Sequence, residues 1–133
     1  MAKTSGGNRA SGATRVVFKN EIKQMYSVYE EAKLIAKSRY KEEIKKLSSI
    51  TLTSRQRETL SKNIEFYKSN PLYGTKKNLD KYIDDNIKKI QSGSFKRSLM
   101  KVEGMNVDIL HGFGREAAYR EIIPEIERLL SKN

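Results

Sequence analysis

The chain has 133 residues, of which 37% are hydrophobic and 32% are charged, and this length suits a single domain. Its 27 Lys and Arg outweigh 16 Asp and Glu, and the formal net charge of +11 favours a polyanionic partner such as nucleic acid. The absence of cysteine excludes disulfides, thiolate metal sites and a cysteine nucleophile, and no apolar run approaches the roughly 18 residues that span a bilayer.

The positive charge is distributed unevenly along the sequence. Residues 104–133 contain four basic and five acidic side chains, a formal charge of −1, so residues 1–103 carry +12. We therefore expect the basic surface to lie in the first three quarters of the chain. The nearly neutral final segment is expected to serve in the core or as a docking element.

Residues 1–15 combine Gly, Ser, Ala, Thr and Asn with three cations, Lys3, Arg9 and Arg15, and contain no acidic residue. This composition is typical of a flexible basic arm, with an ordinary frayed terminus as the alternative. The segment has no apolar stretch like that of a secretory signal, so a cytoplasmic protein is expected. Residues 16–133 are predicted to form one helical domain.

Residues 18–47 are predicted to form one long helix. Apolar side chains recur every three or four residues from Ile22 to Leu47, without Pro or Gly between them. The β-branched and hydroxyl residues of segment 48–54 end the pattern. The apolar stripe does not keep a strict heptad, so a coiled-coil dimer is not predicted. Three tyrosines lie on or beside the stripe, Tyr26, Tyr29 and Tyr40, and we expect them to be half-buried at the edge of the core. The alternative interpretation is that these rings stack on unpaired bases.

Two shorter helices are predicted next. The first covers residues 54–69, with Thr53 or Ser54 as its N-cap. A turn follows over residues 69–74, because Pro71 keeps the residue before it out of the helical region. The next helix covers residues 75–92, where isoleucines and a leucine form an apolar seam and Asp84 and Lys88 are expected to make a solvated ion pair.

Residues 94–110 leave two interpretations open. One is a short helix carrying Phe95, Leu99 and Val102, because Leu, Met and Lys are fair helix formers. The other is a hairpin of strands 97–102 and 105–110, turning at Glu103 and Gly104.

The fold class is accordingly all-α, a small irregular bundle of four to five helices behind the basic arm. The alternative is α+β, with one hairpin near residues 97–110.

The final helix is predicted over residues 114–130 from its apolar face. Gly112 and Gly114 are interpreted as the hinge before it, since glycine adopts backbone angles that other residues avoid. Phe113 is expected to pack into the core. Pro124 predicts a kink, or two short helices with the proline in the first turn of the second.

The segment ILHGFGREAAYREI contains the one histidine of the chain and the weak candidates for catalysis, His111, Arg115 and Tyr119. Their i, i+4, i+8 spacing would suit a metal-independent ribonuclease, with His111 as acid or base and Arg115 on the phosphate. The G-x-G pattern lacks the third glycine of a nucleotide-binding loop, since Ala117 stands there. One histidine without cysteine predicts no zinc site, and no cofactor is expected.

The sequence favours a non-enzymatic, cytoplasmic nucleic-acid-binding protein that acts mainly through phosphate contacts, with DNA or RNA left open. Small size, abundant lysine and absent cysteine would suit a phage or mobile-element accessory protein. One alternative is a helical assembly factor that docks on a protein or nucleoprotein complex through helix 18–47 or the C-terminal helix. The other is the ribonuclease-like toxin that uses His111. The predicted nucleic-acid-binding residues are Lys3, Arg9, Arg15, Lys19, Lys23, Lys33, Lys37, Lys41, Arg55, Arg57, Lys76 and Lys77.

Overall fold

The computed structural model describes residues 18–91 and 107–132, and within these ranges every regular element is a helix. The four helices are α1 (Lys19–Leu47), α2 (Ser54–Ser69), α3 (Lys76–Gln91) and α4 (Val107–Lys132). The all-α prediction is confirmed for this part of the chain. The predicted basic arm and the short helix around Phe95 lie outside the described residues.

Helices α1 and α4 form the central pair and run in the same direction. Gly114, near the start of α4, lies against Tyr29 and Ala32 of α1, whereas Glu121 reaches forward to Lys37. The contact is close because the facing residues are small: a Cβ built on Gly114 would lie 2.7 Å from the Tyr29 carbonyl oxygen and 2.8 Å from the Ala32 Cβ. Small residues therefore set the spacing of the two longest helices.

Helices α2 and α3 pack on this pair and run antiparallel to it. Near the start of α2, Arg57 donates a 2.8 Å hydrogen bond to the carbonyl of Leu130, close to the end of α4. Near the end of α2, Tyr67 stacks on Tyr119, earlier in α4. Helix α2 is thus antiparallel to α4. Helix α3 covers the other half of the pair, where the Tyr26 hydroxyl donates to Asp80.

The core is divided into two clusters along the α1–α4 pair. The first joins α1, α3 and α4 through Phe18, Ile22, Met25, Tyr29, Leu79, Ile83, Ile87, Leu110 and Ala117. The second joins α2 and α4 through Ile64, Ile122 and Ile126, with Tyr40 and Ile44 of α1 among the half-buried residues around it. Phe113 is half-buried against the first cluster, as expected for a residue that contacts the core.

Local signals in the sequence fix the starts and ends of the short helices. Thr53 caps α2 in a reciprocal capping box, in which its hydroxyl accepts from the Gln56 amide and the Gln56 side chain accepts from the Thr53 amide. The turn between α2 and α3 passes through Gly74 at φ +72, a left-handed conformation that favours glycine. Arg120 of α4 holds this turn by donating to the carbonyl of Pro71.

Three expectations for the last helix are wrong. Helix α4 begins at Val107, seven residues before the predicted start at residue 114, and so places Gly112 and Gly114 inside the helix rather than at a hinge. Glycine in a helix costs about 1 kcal/mol relative to alanine, but the close contact with α1 requires it at residue 114. The helix also continues through Pro124 as one element, so the prediction of two short helices fails.

The hairpin interpretation of residues 97–110 is not supported. Its second strand would include Val107 and Leu110, which belong to α4, and the Leu110 side chain is fully buried in the first core cluster. The remaining residues of the proposed hairpin lie outside the described ranges. The core contact of Leu110 explains why helix prevails over the local β-branched pattern, since burial of a leucine contributes about 2 kcal/mol.

The expectation of a solvated Asp84 is also wrong. Its side chain is fully buried in α3, on the face that carries Ile83 and Ile87. The apolar seam of this helix was predicted, but its spacing did not reveal that the buried face extends to Asp84. In the part of the chain that the structure describes, no helix combines the length and the apolar character needed to cross a membrane.

Candidate functional site

Tyr40, in the second half of α1, lines two neighbouring grooves of different chemistry. The cationic groove has a volume of about 220 Å³ and is formed by Ala32, Ile35, Ala36, Arg39, Tyr40, His111 and Arg115. The aromatic groove has a volume of about 760 Å³ and is formed by α1, α2 and α4 together with the turn before α3. The residues that line it are Tyr40, Glu43, Leu47, Thr53, Arg55, Gln56, Thr59, Leu60, Asn63, Phe66, Tyr67, Tyr73, Glu116 and Tyr119.

The cationic groove brings together basic side chains from α1 and α4. Arg39 comes from α1, whereas His111 and Arg115 lie one turn apart on α4 and so share a face. Ala32 and Ala36 form the small-residue wall that leaves room between the helices. Among the described residues, no carboxylate lines this groove. Two guanidinium groups beside an imidazole make it suited to a phosphate oxyanion, which arginine can bind with two parallel hydrogen bonds.

His111 lies within the second turn of α4 and is half-buried, rather than standing on the surface beside a helix cap. The structure brings it to the same groove as Arg115, because α4 begins early enough to place the two residues one turn apart on one face. It does not bring Tyr119 there, because that ring turns into the aromatic groove. Tyr40 of α1 takes the place that the sequence had suggested for Tyr119.

The aromatic groove contains five rings in mutual contact. Tyr67 and Tyr119 are stacked, with ring centroids 5.1 Å apart, and Tyr40 meets Tyr119 edge-on at 5.4 Å. These three rings are half-buried. Phe66 and Tyr73 contact each other edge-on at 4.9 Å and remain 45% and 40% exposed. The groove thus has a rigid inner wall and two aromatic side chains that solvent reaches.

The tyrosine hydroxyls in this groove are neutral at physiological pH. Burial, reinforced by the nearby Glu116 carboxylate, raises the pKa of Tyr67 above its ordinary value. Burial also raises the pKa of Tyr119, against the opposing effect of the nearby Asn63 amide. The Tyr73 hydroxyl donates to Glu116, which raises the pKa of Tyr73. The groove therefore offers neutral hydroxyl donors, two side-chain amides, the carboxylates of Glu43 and Glu116, and the guanidinium of Arg55.

Several of the predicted nucleic-acid-binding residues have structural partners instead. The ammonium groups of Lys33 and Lys37 lie 2.6 Å and 2.8 Å from the two carboxylate oxygens of Glu121. Arg57 is half-buried and binds the Leu130 carbonyl, so of the two arginines at the start of α2 only Arg55 is exposed. The capping box also engages the backbone amides of Thr53 and Gln56, so these two donors are not available to a phosphate at the start of α2.

The other predicted basic residues of the described chain are exposed. Lys76 lies 5.7 Å from the centroid of the Tyr26 ring, a cation–π contact at the start of α3. The remaining ones are Lys19, Lys23, Lys41 and Lys77. They spread over α1 and α3 and do not form one groove. Lys3, Arg9 and Arg15 lie outside the described residues.

The sequence did not identify Arg39 or the exposed rings Phe66 and Tyr73 as candidate site residues. The side-by-side packing of α1 and α4 brings Arg39 to His111, although the two residues are 72 positions apart. The only sequence signal was the pair Ala32 and Ala36, whose small side chains at one-turn spacing mark a close helix contact. The periodicity of a single helix cannot show which basic side chains of two different helices come together.

Nothing in the described residues resembles a metal centre: no three histidine, aspartate or glutamate side chains are grouped so that they could hold an ion. Comparison with known proteins found no match among protein-family models, curated proteins or solved structures.

Proposed function

We propose that the chain is a small, non-enzymatic nucleic-acid-binding protein that works mainly through contacts with phosphates. The observation that carries this proposal is the cationic groove, where Arg39, His111 and Arg115 converge without a lining carboxylate. The net charge of +11 supports it, because a positive field attracts a polyanion from a distance and the groove provides a place for it to bind.

The proposal is tested by fluorescence anisotropy with labelled duplex DNA, single-stranded DNA and RNA, from low salt to about 200 mM. The double variant Arg39→Ala/Arg115→Ala is expected to bind about tenfold or more weakly, since each charged hydrogen bond contributes about 1.5–3 kcal/mol where it is partly desolvated. It should also reduce the slope of log K against log salt by about 1 to 2.

The matched control is Lys62→Ala/Lys68→Ala, which removes the same net charge from α2. These lysines already pair with Glu58 and Glu127, so their loss should change binding by less than about threefold. Equal loss in both double variants would mean that binding follows overall charge and does not use the groove. Absence of binding at low salt would overturn the proposed function.

A ribonuclease activity is the second candidate, because His111, Arg115 and Tyr40 line one groove. A metal-independent enzyme of this kind needs an acid or base and a cation at the same phosphate. Incubation with labelled RNA in the presence of a chelator distinguishes the two functions. We expect intact RNA; cleavage that disappears in His111→Ala, with binding retained, would establish the enzyme instead.

Exposed apolar residues on α1 are the observation that favours an assembly factor. Leu34 and Ile35 are 68% and 50% exposed, whereas the apolar face of α4 is used in the core. If the chain fails to bind any nucleic acid, Leu34→Glu in a pull-down experiment is the next variant to examine. Loss of a captured partner in that variant would favour docking through helix α1.

A further inference from the structure

The cationic and aromatic grooves adjoin each other along the α1–α4 pair. Tyr40 lines both, and the consecutive residues Arg115 and Glu116 line one groove each. A ligand that crosses this boundary would meet two guanidinium groups on one side and aromatic rings on the other. An unpaired nucleotide has this combination of parts, an anionic phosphate joined to a flat aromatic base.

We propose that the aromatic groove binds an unpaired base of single-stranded nucleic acid whose phosphate lies in the cationic groove. This inference rests on the proposed function and deepens it by naming the form of nucleic acid that binds. A base paired in a duplex keeps its faces stacked on its neighbours, so it cannot place them against Phe66 or Tyr73.

The dimensions and ring positions of the aromatic groove fit such a base. Its volume of about 760 Å³ lies within the roughly 300–1,000 Å³ of small-molecule sites. Phe66 and Tyr73 are the most exposed of its five rings, so part of their aromatic surface is accessible to a base. The stacked pair Tyr67 and Tyr119 behind them holds the wall in place.

Two carboxylates outweigh one arginine, Arg55, among the residues of the aromatic groove, so its polar groups suit base edges better than phosphates. Glu43 and Glu116 carry negative charge and would repel a phosphate, but carboxylates accept hydrogen bonds from the exocyclic amines of bases. The Asn63 amide can both donate to and accept from a base edge. The repulsion directs the sugar–phosphate backbone toward Arg39 and Arg115, where no carboxylate lines the cationic groove within the described residues.

A cationic side chain is the competing occupant, since tyrosine rings beside carboxylates also attract ammonium and guanidinium groups. The net charge of +11 opposes the approach of a basic peptide, and Arg55 lines the same groove. A basic peptide is therefore the less favoured ligand, and its binding is one of the results that the experiment distinguishes.

The experiment compares two strands of about ten nucleotides with the same number of phosphates, one with normal bases and one abasic throughout. The test variant is Phe66→Ala/Tyr73→Ala in the full chain, which removes the two exposed rings. The matched control is Leu72→Ala, a residue of the same turn that is 51% exposed and does not line the aromatic groove. Far-UV circular dichroism establishes that each variant is folded.

Wild-type protein is expected to bind the normal strand about tenfold more tightly than the abasic strand, since stacking of one base contributes about 1–3 kcal/mol. The variant that lacks both rings should lose this preference and still bind the abasic strand as the wild type does. Leu72→Ala should retain the preference. Tyr73→Phe keeps the ring without the hydroxyl and should behave like the wild type if stacking provides the affinity.

Three results would overturn the inference. Equal binding of normal and abasic strands by the wild type would leave the phosphate-binding function in place and remove the base site. Binding of a short arginine- and lysine-containing peptide, lost in Phe66→Ala/Tyr73→Ala, would identify the groove as a cation site. Binding of duplex DNA without binding of either single strand at low salt would overturn this inference and leave the proposed function in place, whereas absence of binding to duplex DNA as well would overturn both.

Discussion

Gly112 and Gly114 stand two residues apart in α4 and meet different surroundings. A Cβ built on Gly112 would find its nearest heavy atom, a guanidinium nitrogen of Arg115, 3.9 Å away. A Cβ on Gly114 would lie within 2.8 Å of backbone atoms of Tyr29 and Lys33, which cannot move without separating α1 from α4. One glycine is thus required by packing, whereas the other is an ordinary helix residue of low propensity.

Gly114→Ala is expected to lower the free energy of unfolding by about 1–3 kcal/mol, the usual cost of inserting a methyl group into a full contact. Gly112→Ala is expected to raise it by up to about 1 kcal/mol, because alanine favours the helix and has space there. Urea unfolding followed by circular dichroism measures both changes. Similar stabilities for the two variants would contradict the close α1–α4 contact.

At the scale of the elements, the α1–α4 pair is also held by charge. Glu121 of α4 receives hydrogen bonds from Lys33 and Lys37 of α1, and these lower the pKa of its carboxyl below the ordinary 4.5. The same contact with Glu121 raises the pKa of Lys33 above 10.5. The ionised forms of Glu121 and Lys33 therefore stabilise the packed helices over the pH range between these two pKa values.

Glu121→Gln is expected to reduce stability at neutral pH by less than about 1 kcal/mol, since the Glu121 side chain is 39% exposed and solvent screens the pair. Because its pKa is lowered in the folded state, the contribution of Glu121 is complete above pH 4.5 and is lost as the pH falls through the folded pKa. The difference from wild type should therefore disappear in acid.

Urea unfolding of wild type and Glu121→Gln across a series of pH values measures this dependence. Glu31→Gln, an exposed position on α1, is the control and should show no comparable change with pH. A difference between wild type and Glu121→Gln that persists in strong acid would show that packing rather than charge is responsible.

At the scale of the whole molecule, positive charge is divided between paired and solvated positions. Lys33, Lys37 and Arg57 bind other parts of the fold, so the net charge of +11 does not measure the cations that face a ligand. The groove cations Arg39 and Arg115 come from segments that the sequence separates. Residues 1–15 add three further cations and no acid.

If the basic arm contacts phosphates, the full-length variant Lys3→Ala/Arg9→Ala/Arg15→Ala should reduce the slope of log K against log salt by up to about 2 to 3. Each lost contact keeps one counterion on the nucleic acid. The neutral variant Ser5→Ala/Asn8→Ala/Thr14→Ala should keep the wild-type slope. Anisotropy titrations at several salt concentrations give both slopes, and an unchanged slope in the charge variant would remove the arm from the interface.

The sequence by itself determined the helices of the first two thirds of the chain. Periodic apolar residues predicted α1, the Thr53 cap and Pro71 bounded α2, and a clean seam marked α3, all within one or two residues. These signals are local, since caps, turns and helical periodicity involve residues only a few positions apart. His111 and Arg115 share a face only because α4 begins at Val107, a start that the sequence did not predict.

Only the tertiary structure decided where α4 begins, what Gly114 does and which side chains share a groove. A glycine favours a hinge when it is considered alone, but contact with α1 holds Gly114 in a helix. The burial of Asp84, the pairing of Lys33 with Glu121 and the meeting of Arg39 with His111 each depend on which helices pack together. Such contacts join residues far apart in the chain, and their energy depends on geometry that no local pattern contains.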